Sequence, residues 1–389
     1  MKKIGIVSCY FKHNYGSMLQ AYATQYELDK LEIENETINI EQNFDFKRGK
    51  RKYYLKEVFN IPFLKSKLGM IMLKVYKFFK KDLKNNINVR NKKYNEFKKL
   101  FKLSNSTCNY KELEERTSTY SDVIVGSDQL WLPVNVVADY YTLNWVPESI
   151  NKVSLATSFG VSKIPDKYKK LYSVFLNRID KISVREESGV ELVKNLSGKD
   201  AELICDPTML LSKEEWEKIG TEEKIIQDEY ILCYFLGKNT NHRKFAERLK
   251  KETGYKIVSL NHADEYVKYS DIFADIIPYD IGPKEWINLV KNAKFVCTDS
   301  FHGTIFSILF NKQFFTFERY SEKNTEISTN SRIYSLLKQF DLTERLFIGN
   351  ENEKEVLEKQ IDFKKINQIL LSLRNNAENF LKKSINYNN

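Results

Sequence analysis

Cysteine is scarce in this sequence: five occur among 389 residues, and no two are spaced as a Cys-x-x-Cys pair. Cysteines this far apart favour neither a zinc site nor a disulfide framework, so we expect no metal ion. Because three of them lie inside apolar runs typical of strands, we expect the cysteines to be core residues. They are Cys9, Cys108, Cys205, Cys233 and Cys297.

Long apolar runs are missing as well. No segment approaches the roughly 20 apolar residues of a membrane-spanning helix. The first seven residues, MKKIGIV, predict a strand rather than a signal peptide. With 42% hydrophobic and 29% charged residues, the sequence is typical of a globular protein that is long enough for two domains. These features predict a cytoplasmic protein.

The first forty residues predict a strand, a polar loop around Gly16, a helix and a second strand. The strand covers residues 3–9, the helix 18–31, and the alternating pattern 33–40. This βαβ pattern predicts a parallel sheet whose carboxyl edge, with the Gly16 loop, binds a ligand. The loop has neither the Gly-x-Gly-x-x-Gly spacing of a dinucleotide site nor the Gly-Lys-Ser/Thr of a P-loop.

Acidic residues are rare between positions 47 and 107, where there are nineteen Lys or Arg and three acidic residues, against a net charge of +10 for the whole chain. Aromatic and aliphatic residues alternate with lysines over 63–81. This composition suits a helix lying on an anionic bilayer, and an ordinary helical insertion packed on the sheet fits it equally well. Nucleic acid is a weaker third reading, and we expect none, because no helix-turn-helix, RRM or zinc-finger pattern accompanies the charge.

Strand and helix patterns alternate along the rest of the chain. They predict an α/β fold with two doubly wound, Rossmann-like domains facing a central cleft. We place the N-terminal domain at 1–210, with the basic region 47–107 as a helical insertion. The C-terminal domain follows at 211–345, and a helical region at 346–389 completes the chain.

The stretch 292–312 contains the strongest candidate for a functional group. An apolar strand over 295–297 runs into the polar residues 298–303, and the apolar segment 304–310 predicts a helix. A helix that starts there presents free N–H groups and its positive dipole end, and His302 would stand at that point. In the alternative interpretation, Asp299 or Ser300 merely caps the helix and His302 is a satisfied core side chain.

Two other predicted strands deliver polar groups to the same edge. The strand over 121–125 ends at Ser127 and Asp128, and the strand over 181–184 ends at Arg185. A planar guanidinium at this position suits a carboxylate or a phosphate, unless it pairs at the surface with a neighbouring glutamate. Together with His302, these strand ends predict one cleft between the two domains.

Five motifs, taken together and in order, resemble those of the polysaccharide pyruvyl transferase family. They are NYGSMLQA from Asn14, VGSDQLW from Val125, SVREESG from Ser183, CDPT from Cys205 and TDSFHG from Thr298. The resemblance covers residues 3 to about 345. It implies a fold of the GT-B glycosyltransferase kind, and an enzyme that moves the pyruvyl group of phosphoenolpyruvate onto a sugar as a ketal and releases phosphate.

The resemblance also implies roles for individual residues. His302 matches the family's histidine and is the expected general acid and base. Asp128 is expected to position a sugar hydroxyl or to orient the histidine, and Arg185 matches the donor-binding arginine. The cleft is further expected to be lined by Asn14, Tyr15, Gly16, Ser17, Ser127, Gln129, Asp299 and Gly303.

One position departs from the family pattern. Many relatives have Arg-x-His where this chain has Ser300-Phe301-His302, so one donor cation is absent. Arg319, which follows a predicted strand end, is the first candidate to replace that charge beside Ser300. Arg332 is the second.

The expected partners are phosphoenolpyruvate as co-substrate, without any other cofactor, and a sugar or lipid-linked saccharide of the cell envelope. Peripheral contact with an anionic membrane through residues 47–107 stays open. Two other functions compete: a GT-B glycosyltransferase that uses a nucleotide sugar, and a sugar-binding protein without activity. His13, His242 and His262 match no motif and are expected at the surface or in loops.

Overall fold

A computed structural model describes residues 2–58, 73, 81–260, 272–319 and 330–386. Its first sheet has six parallel strands in the order β2-β1-β3-β4-β5-β6. These strands are β1 (Lys3–Val7), β2 (Asn35–Thr37), β3 (Tyr120–Val125), β4 (Asn151–Thr157), β5 (Lys181–Val184) and β6 (Glu202–Leu203).

The second sheet has five parallel strands in the order β11-β10-β9-β7-β8. They are β7 (Tyr230–Tyr234), β8 (Lys256–Ser259), β9 (Phe295–Thr298), β10 (Gln313–Phe317) and β11 (Leu346–Phe347). Val296 and Cys297 at its centre are fully buried, as expected when helices cover both faces of a parallel sheet. The prediction of two doubly wound domains of the GT-B kind is therefore confirmed.

Helices connect and cover the strands. In chain order they are α1 (Tyr15–Lys30), α2 (Phe44–Lys56), α3 (Lys81–Lys98), α4 (Tyr110–Arg116), α5 (Pro133–Ala138), α6 (Asp166–Arg178), α7 (Glu187–Ser197), α8 (Lys213–Ile219), α9 (Thr240–Thr253), α10 (Pro283–Asn292), α11 (Phe301–Leu309), α12 (Ser331–Gln339), α13 (Glu353–Glu358) and α14 (Phe363–Ser384). Short 3₁₀ turns occupy 117–119, 207–209 and 343–345.

Two elements differ in length from their prediction. The second strand is shorter than 33–40: its ladder with β1 pairs residues 35–37 only. On the opposite edge, the backbone of Thr37 bonds the N–H of Ser104 and the carbonyl of Lys102. Helix α11 starts at Phe301, three residues before the apolar segment, because Ser300 caps it. Polar residues at a cap belong to the helix boundary although they carry no apolar pattern.

The C-terminal helix α14 returns to the first domain. Arg374 donates hydrogen bonds to the carbonyls of Met209 and Leu211, at 2.8 and 3.0 Å. Near the end of the helix, the Asn151 amide donates to the carbonyl of Ser384 at 2.7 Å. The second half of the chain is thus anchored on the first sheet as well as on its own.

The basic insertion is described only in part. The alternating segment over 63–81 lies outside the described residues except for positions 73 and 81, so the bilayer reading of that segment stays a prediction. Helix α3, which ends the insertion, contacts both domains. Its Lys93 forms an ion pair of 2.8 Å with Glu285 of α10, and its Tyr94 stacks on Tyr15 of α1 at 5.3 Å.

Some burial predictions were wrong. Cys205, Cys233 and Cys297 are buried, but Cys108 is exposed and Cys9 is only partly covered. His242 is also not a surface residue: it is buried in the first turn of α9, where its ring stacks on Phe317 at 4.6 Å. His262 lies outside the described residues. None of the described helices has the length and apolar character needed to cross a membrane.

Candidate active site

The loop between β9 and α11 is fixed by its own polar side chains. Ser300 is the N-cap of α11 and accepts a hydrogen bond from the Gly303 N–H at 3.2 Å. Asp299 accepts from the N–H groups of Leu236 and Gly237, at 2.6 and 2.8 Å, and so ties this loop to the end of β7. A side chain at Gly303 would place its Cβ 2.4 Å from Thr298 Oγ1, so the tight turn requires glycine. Capping therefore accounts for Ser300 and a loop contact for Asp299, but neither accounts for His302.

His302 sits in the first turn of α11, at the boundary between the domains. Its side chain is 7% exposed, and its Nε2 has no hydrogen-bond partner among the described residues. The nearest carboxylate oxygen is Asp206 Oδ2, at 3.6 Å. On its other side the ring packs on Gly16 of α1, where a Cβ would lie 2.0 Å from Nδ1. A buried but unsatisfied imidazole does not fit the interpretation of a satisfied core side chain.

The Asp206 carboxylate is the centre of the buried polar network. Its Oδ2 accepts hydrogen bonds from Arg185 Nη1 at 2.6 Å and from Ser127 Oγ at 2.7 Å. Its Oδ1 accepts from the backbone and the hydroxyl of Thr208, at 3.0 and 2.7 Å. Burial opposes ionisation, but the charges of His302 and Arg185 outweigh it and hold the pKa of Asp206 below its ordinary value.

Asp128 lies in the neighbouring loop with its backbone at φ 77°, a left-handed conformation that aspartate tolerates better than most residues. Its Oδ2 accepts from Ser17 Oγ at 2.5 Å, and its Oδ1 lies 3.7 Å from Arg185 Nη2. Burial opposes its ionisation, but Lys12, Arg185 and His302 lower the pKa of Asp128 below its ordinary value. It is therefore an ionised carboxylate at neutral pH.

Arg185 lies beneath the cavity wall. Its side chain is fully buried, and its guanidinium carbon stands 4.4 Å from the centre of the Phe301 ring. It is not the surface arginine of the alternative interpretation, because its short ion pair joins Asp206, while Glu186 Oε2 lies 3.9 Å away. Two of its nitrogens, Nε and Nη2, have no hydrogen-bond partner among the described residues.

These residues surround a small cavity, of about 100 Å³, between the two domains. Its wall includes three basic side chains, Lys12, Arg319 and Arg332. Burial, followed by the charge of Arg185, lowers the pKa of Arg332 to about 9, and its guanidinium carbon lies 5.6 Å from the centre of the Phe301 ring. The other wall residues are Asn14, Ser17, Asp128, Gln129, Leu236, Asp299, Ser300, Phe301, His302, Asn330 and Ile333.

Most predicted site residues come together here, in two different positions. Nine of them line the cavity, and five pack behind its wall: Tyr15, Gly16, Ser127, Arg185 and Gly303. Tyr15 is a joint between the domains, because its hydroxyl donates to the Ile281 carbonyl at 2.9 Å and its ring stacks on Trp286 at 5.5 Å. Tyr15, Gly16, Ser127 and Gly303 therefore do not line the cavity as expected, and Arg185, the expected donor-binding residue, does not reach the cavity wall.

The sequence reasoning missed two charged residues of this site, besides the wall residues Leu236, Phe301, Asn330 and Ile333. Asp206 was part of a recognised motif and followed a short strand, which was a signal that its carboxylate reaches the carboxyl edge of the sheet. Lys12 belongs to the polar loop after β1, where a cation beside the glycine could have been noted. Among the described residues, no group of three or more His, Cys, Asp or Glu side chains could hold a metal ion.

Comparison with solved structures identifies the fold. UDP-GlcNAc 2-epimerase from Neisseria meningitidis, bound to UDP-GlcNAc, is 11% identical with a TM-score of 0.53, and the match covers 99% of each chain. UDP-N-acetylglucosamine 2-epimerase from Rickettsia bellii is 12% identical with a TM-score of 0.46, and the match covers 97% of each chain. At 11% identity, the likeness to the Neisseria meningitidis enzyme concerns the fold alone.

Comparison with sequences identifies the family. No curated protein sequence gives a significant match. The family model described as "Polysaccharide pyruvyl transferase" matches residues 14–321, which include all five motifs and every residue of the cavity wall except Lys12, Asn330, Arg332 and Ile333. The chain belongs to the polysaccharide pyruvyl transferase family.

Proposed function

We propose that this protein moves the pyruvyl group of phosphoenolpyruvate onto a sugar of a cell-surface polysaccharide precursor, as a ketal, with release of phosphate. The observation that carries the proposal is the cavity itself. It combines three basic side chains, the N-terminus of α11 and an unsatisfied imidazole around one small cavity. Family membership adds the transferase class.

The donor explains the concentration of positive charge. Phosphoenolpyruvate carries a carboxylate and a phosphate, and both need fixed donors if they are to leave water. Arg319, Arg332 and Lys12 reach the cavity from different segments and can divide the two anionic groups between them. Arg185 lies behind Phe301, and its two nitrogens without partners support the expected role in donor binding through a small movement of that ring.

The charge absent at Ser300 is supplied, in this proposal, by Arg332. Ser300 is committed to capping α11, and Arg332 stacks against Phe301, the middle residue of the Ser-Phe-His motif. Its Nε is buried and has no hydrogen-bond partner among the described residues. Arg319 also lines the cavity and becomes the second candidate, so the proposal reverses the order expected from the sequence.

His302 acts as the general acid and base. In the first step the imidazolium gives its proton to the donor's methylene carbon, the double bond supplies the electron pair, and a sugar hydroxyl bonds the central carbon that becomes electron-deficient. The neutral imidazole then takes the proton of that hydroxyl. In the second step another sugar hydroxyl bonds the same carbon as the bond to the phosphate oxygen breaks, and its proton leaves with the phosphate.

Asp206 and Asp128 divide the supporting roles. Asp206 lies 3.6 Å from His302 and also binds Arg185, so it positions the imidazole. Asp128, held by Ser17 and facing the cavity, is placed to accept a hydrogen bond from a sugar hydroxyl. The two expected roles of Asp128 are thus assigned to two carboxylates.

The test is release of inorganic phosphate from phosphoenolpyruvate by the purified chain, across a panel of sugar acceptors and with each acceptor omitted in turn. We expect release that depends on the acceptor, and a product heavier than the acceptor by one pyruvyl ketal. Turnover of a nucleotide sugar without phosphate release from phosphoenolpyruvate would instead support a glycosyltransferase. Sugar binding that His302→Ala leaves unchanged, without turnover of either donor, would support a binding protein.

A further inference from the structure

We propose that the outward faces of α2 and α6 form one docking surface for an anionic lipid bilayer. The outer face of α2 carries Phe44, Lys47, Arg48, Arg51 and Leu55, which follow one another at helical spacing and are all exposed. Phe44 is 68% exposed and Leu55 is 74% exposed, a high fraction for large apolar side chains. The stripe therefore presents apolar and basic groups together rather than the polar face of an ordinary surface helix.

Helix α6 repeats this pattern. Leu171 and Val174 are 45% and 50% exposed, and the exposed lysines Lys167 and Lys170 lie on the same face at helical spacing. The opposite face of the helix is buried through Tyr168, Tyr172 and Phe175. The apolar residues of the outer face are thus additional to those that hold α6 on the sheet.

Buried contacts join the two helices into one surface. Glu57, which directly follows α2, accepts from Lys167 Nζ and from the hydroxyl of Tyr168, both at 2.6 Å. The rings of Tyr53 and Tyr168 lie 5.9 Å apart beside this contact. Because Glu57 is itself buried, the end of α2 is fixed against the start of α6, and the two exposed faces are neighbours.

The charge of the surface identifies its partner. Six exposed basic residues take part in no ion pair among the described residues: Lys47, Arg51, Lys52, Lys56, Lys163 and Lys170. Basic residues attract an anionic surface, while exposed aliphatic and aromatic side chains between them gain from insertion among acyl chains. Nucleic acid would leave the apolar side chains in water. An anionic bilayer accounts for both the basic residues and the exposed apolar side chains.

The surface also lies beside the cleft. On the inner side of α2, Lys50 is partly buried and interacts electrostatically with Cys9 and Lys12, and Lys12 is part of the cavity wall. One helix therefore separates the proposed lipid surface from the cavity. If the proposed function holds, a lipid-linked acceptor would reach the cavity from this side, but bilayer binding itself does not depend on that function.

The test is co-sedimentation of the full chain with vesicles of phosphatidylcholine that contain about 30% phosphatidylglycerol, compared with vesicles of phosphatidylcholine alone. We expect binding to the anionic vesicles only, and weaker binding at about 0.5 M salt. The triple variant Lys47→Gln, Arg51→Gln, Lys170→Gln should bind roughly a hundredfold more weakly, since each charge contributes about fivefold. The variant Leu55→Ser, Leu171→Ser should also bind more weakly, at unchanged salt dependence.

Matched controls come from the opposite end of the chain. Lys359→Gln, Lys364→Gln, Lys383→Gln removes three exposed charges, and Ile348→Ser, Leu371→Ser removes two exposed apolar side chains. Both controls should bind as the wild type does. Equal losses in patch and control variants would overturn the proposal. So would the absence of wild-type binding to the anionic vesicles, or equal binding to neutral vesicles. Patch-dependent binding of a DNA duplex, or patch-dependent self-association, in place of vesicle binding would identify another partner. Binding that Lys74→Gln, Lys77→Gln, Lys80→Gln abolishes but the patch triple leaves intact would also overturn the proposal.

Discussion

Gly16 and His302 pack so closely across the domain boundary that a Cβ on Gly16 would lie 2.0 Å from the imidazole Nδ1. Gly16 belongs to the N-terminal domain and His302 to the C-terminal domain, so the position of the proposed acid depends on both. Near its Nε2 the ring faces Asp206, whose Oδ2 lies 3.6 Å away and forms a buried ion pair with Arg185. The shape of α1 at this single residue thus determines where the imidazole can stand.

We predict that Gly16→Ala lowers kcat by at least about tenfold, because a displacement of the order of 1 Å at a reacting group commonly costs more than that. The measurement is the rate of phosphate release at saturating phosphoenolpyruvate. Gly126→Ala is the matched control, because it adds a Cβ to a loop of the same site whose nearest neighbours are 3.7 Å away. Equal activity of the two variants would show that the Gly16 contact does not position His302.

His302→Ala should lower kcat by at least about a hundredfold, the usual scale for loss of a general acid or base. The fold should remain intact, because Nε2 makes no hydrogen bond within the described residues and its loss leaves no partner unsatisfied. Circular dichroism and denaturant unfolding check the fold. His13→Ala, which removes a histidine that stacks on Tyr94 outside the cavity wall, should keep full activity. A retained rate in His302→Ala would remove the residue from the mechanism.

The ionisation of Asp206 makes the free energy of unfolding depend on pH in the acid range. Because its pKa is lower in the folded than in the unfolded chain, its contribution is complete above the unfolded value near 4 and is lost as pH falls below it. Asp206→Asn should reduce the free energy of unfolding by about 3–5 kcal/mol at pH 7, since it removes the one short ion pair that the described residues offer the buried Arg185. The difference from the wild type should shrink from about pH 4 downwards.

Denaturant unfolding at a series of pH values from 7 down to about 3 measures this difference. Asp166→Asn serves as the control, because it removes an exposed carboxylate whose pKa is lowered by its partner Lys169 in the first turn of α6. That variant should unfold like the wild type throughout. A constant difference between Asp206→Asn and the wild type over the whole range would contradict the electrostatic account of this network.

The sequence was most informative where its apolar pattern was regular. Strand β5 has the predicted bounds 181–184, and its residues after Lys181 are buried, as expected for a short parallel strand covered on both faces. The prediction for His302 also held at the level of position: it stands at a helix N-terminus between the domains. These features depend on local sequence and on the rule that parallel strands share a carboxyl edge.

The sequence could not predict which side chains at the strand ends face the cavity and which pack behind its wall. Arg185 and Asp128 follow strands in the same way, yet one packs behind Phe301 and the other faces the cavity. The difference depends on χ angles and on Asp206, which comes from a third strand. Similarly, His242 was expected at the surface or in a loop, but its ring packs between the rings of Phe235 and Phe317 in the C-terminal domain. Such choices are made by packing across the fold rather than by spacing along the chain.

The charge that replaces the family's missing arginine can be assigned by kinetics. We predict that Arg332→Ala raises KM for phosphoenolpyruvate by about ten- to a hundredfold, the usual size of one charge-assisted hydrogen bond to a ligand. Arg332→Lys should recover only part of the loss, because a lysine cannot offer a planar fork. Arg319→Ala is the direct comparison: if it raises KM more than Arg332→Ala does, then Arg319 supplies the charge.

The double variant Ser300→Arg, Arg332→Ala should regain donor affinity, although removal of the cap costs about 1 kcal/mol of stability. Recovery in this variant, with KM lower than in Arg332→Ala, would show that the two positions serve the same anionic group.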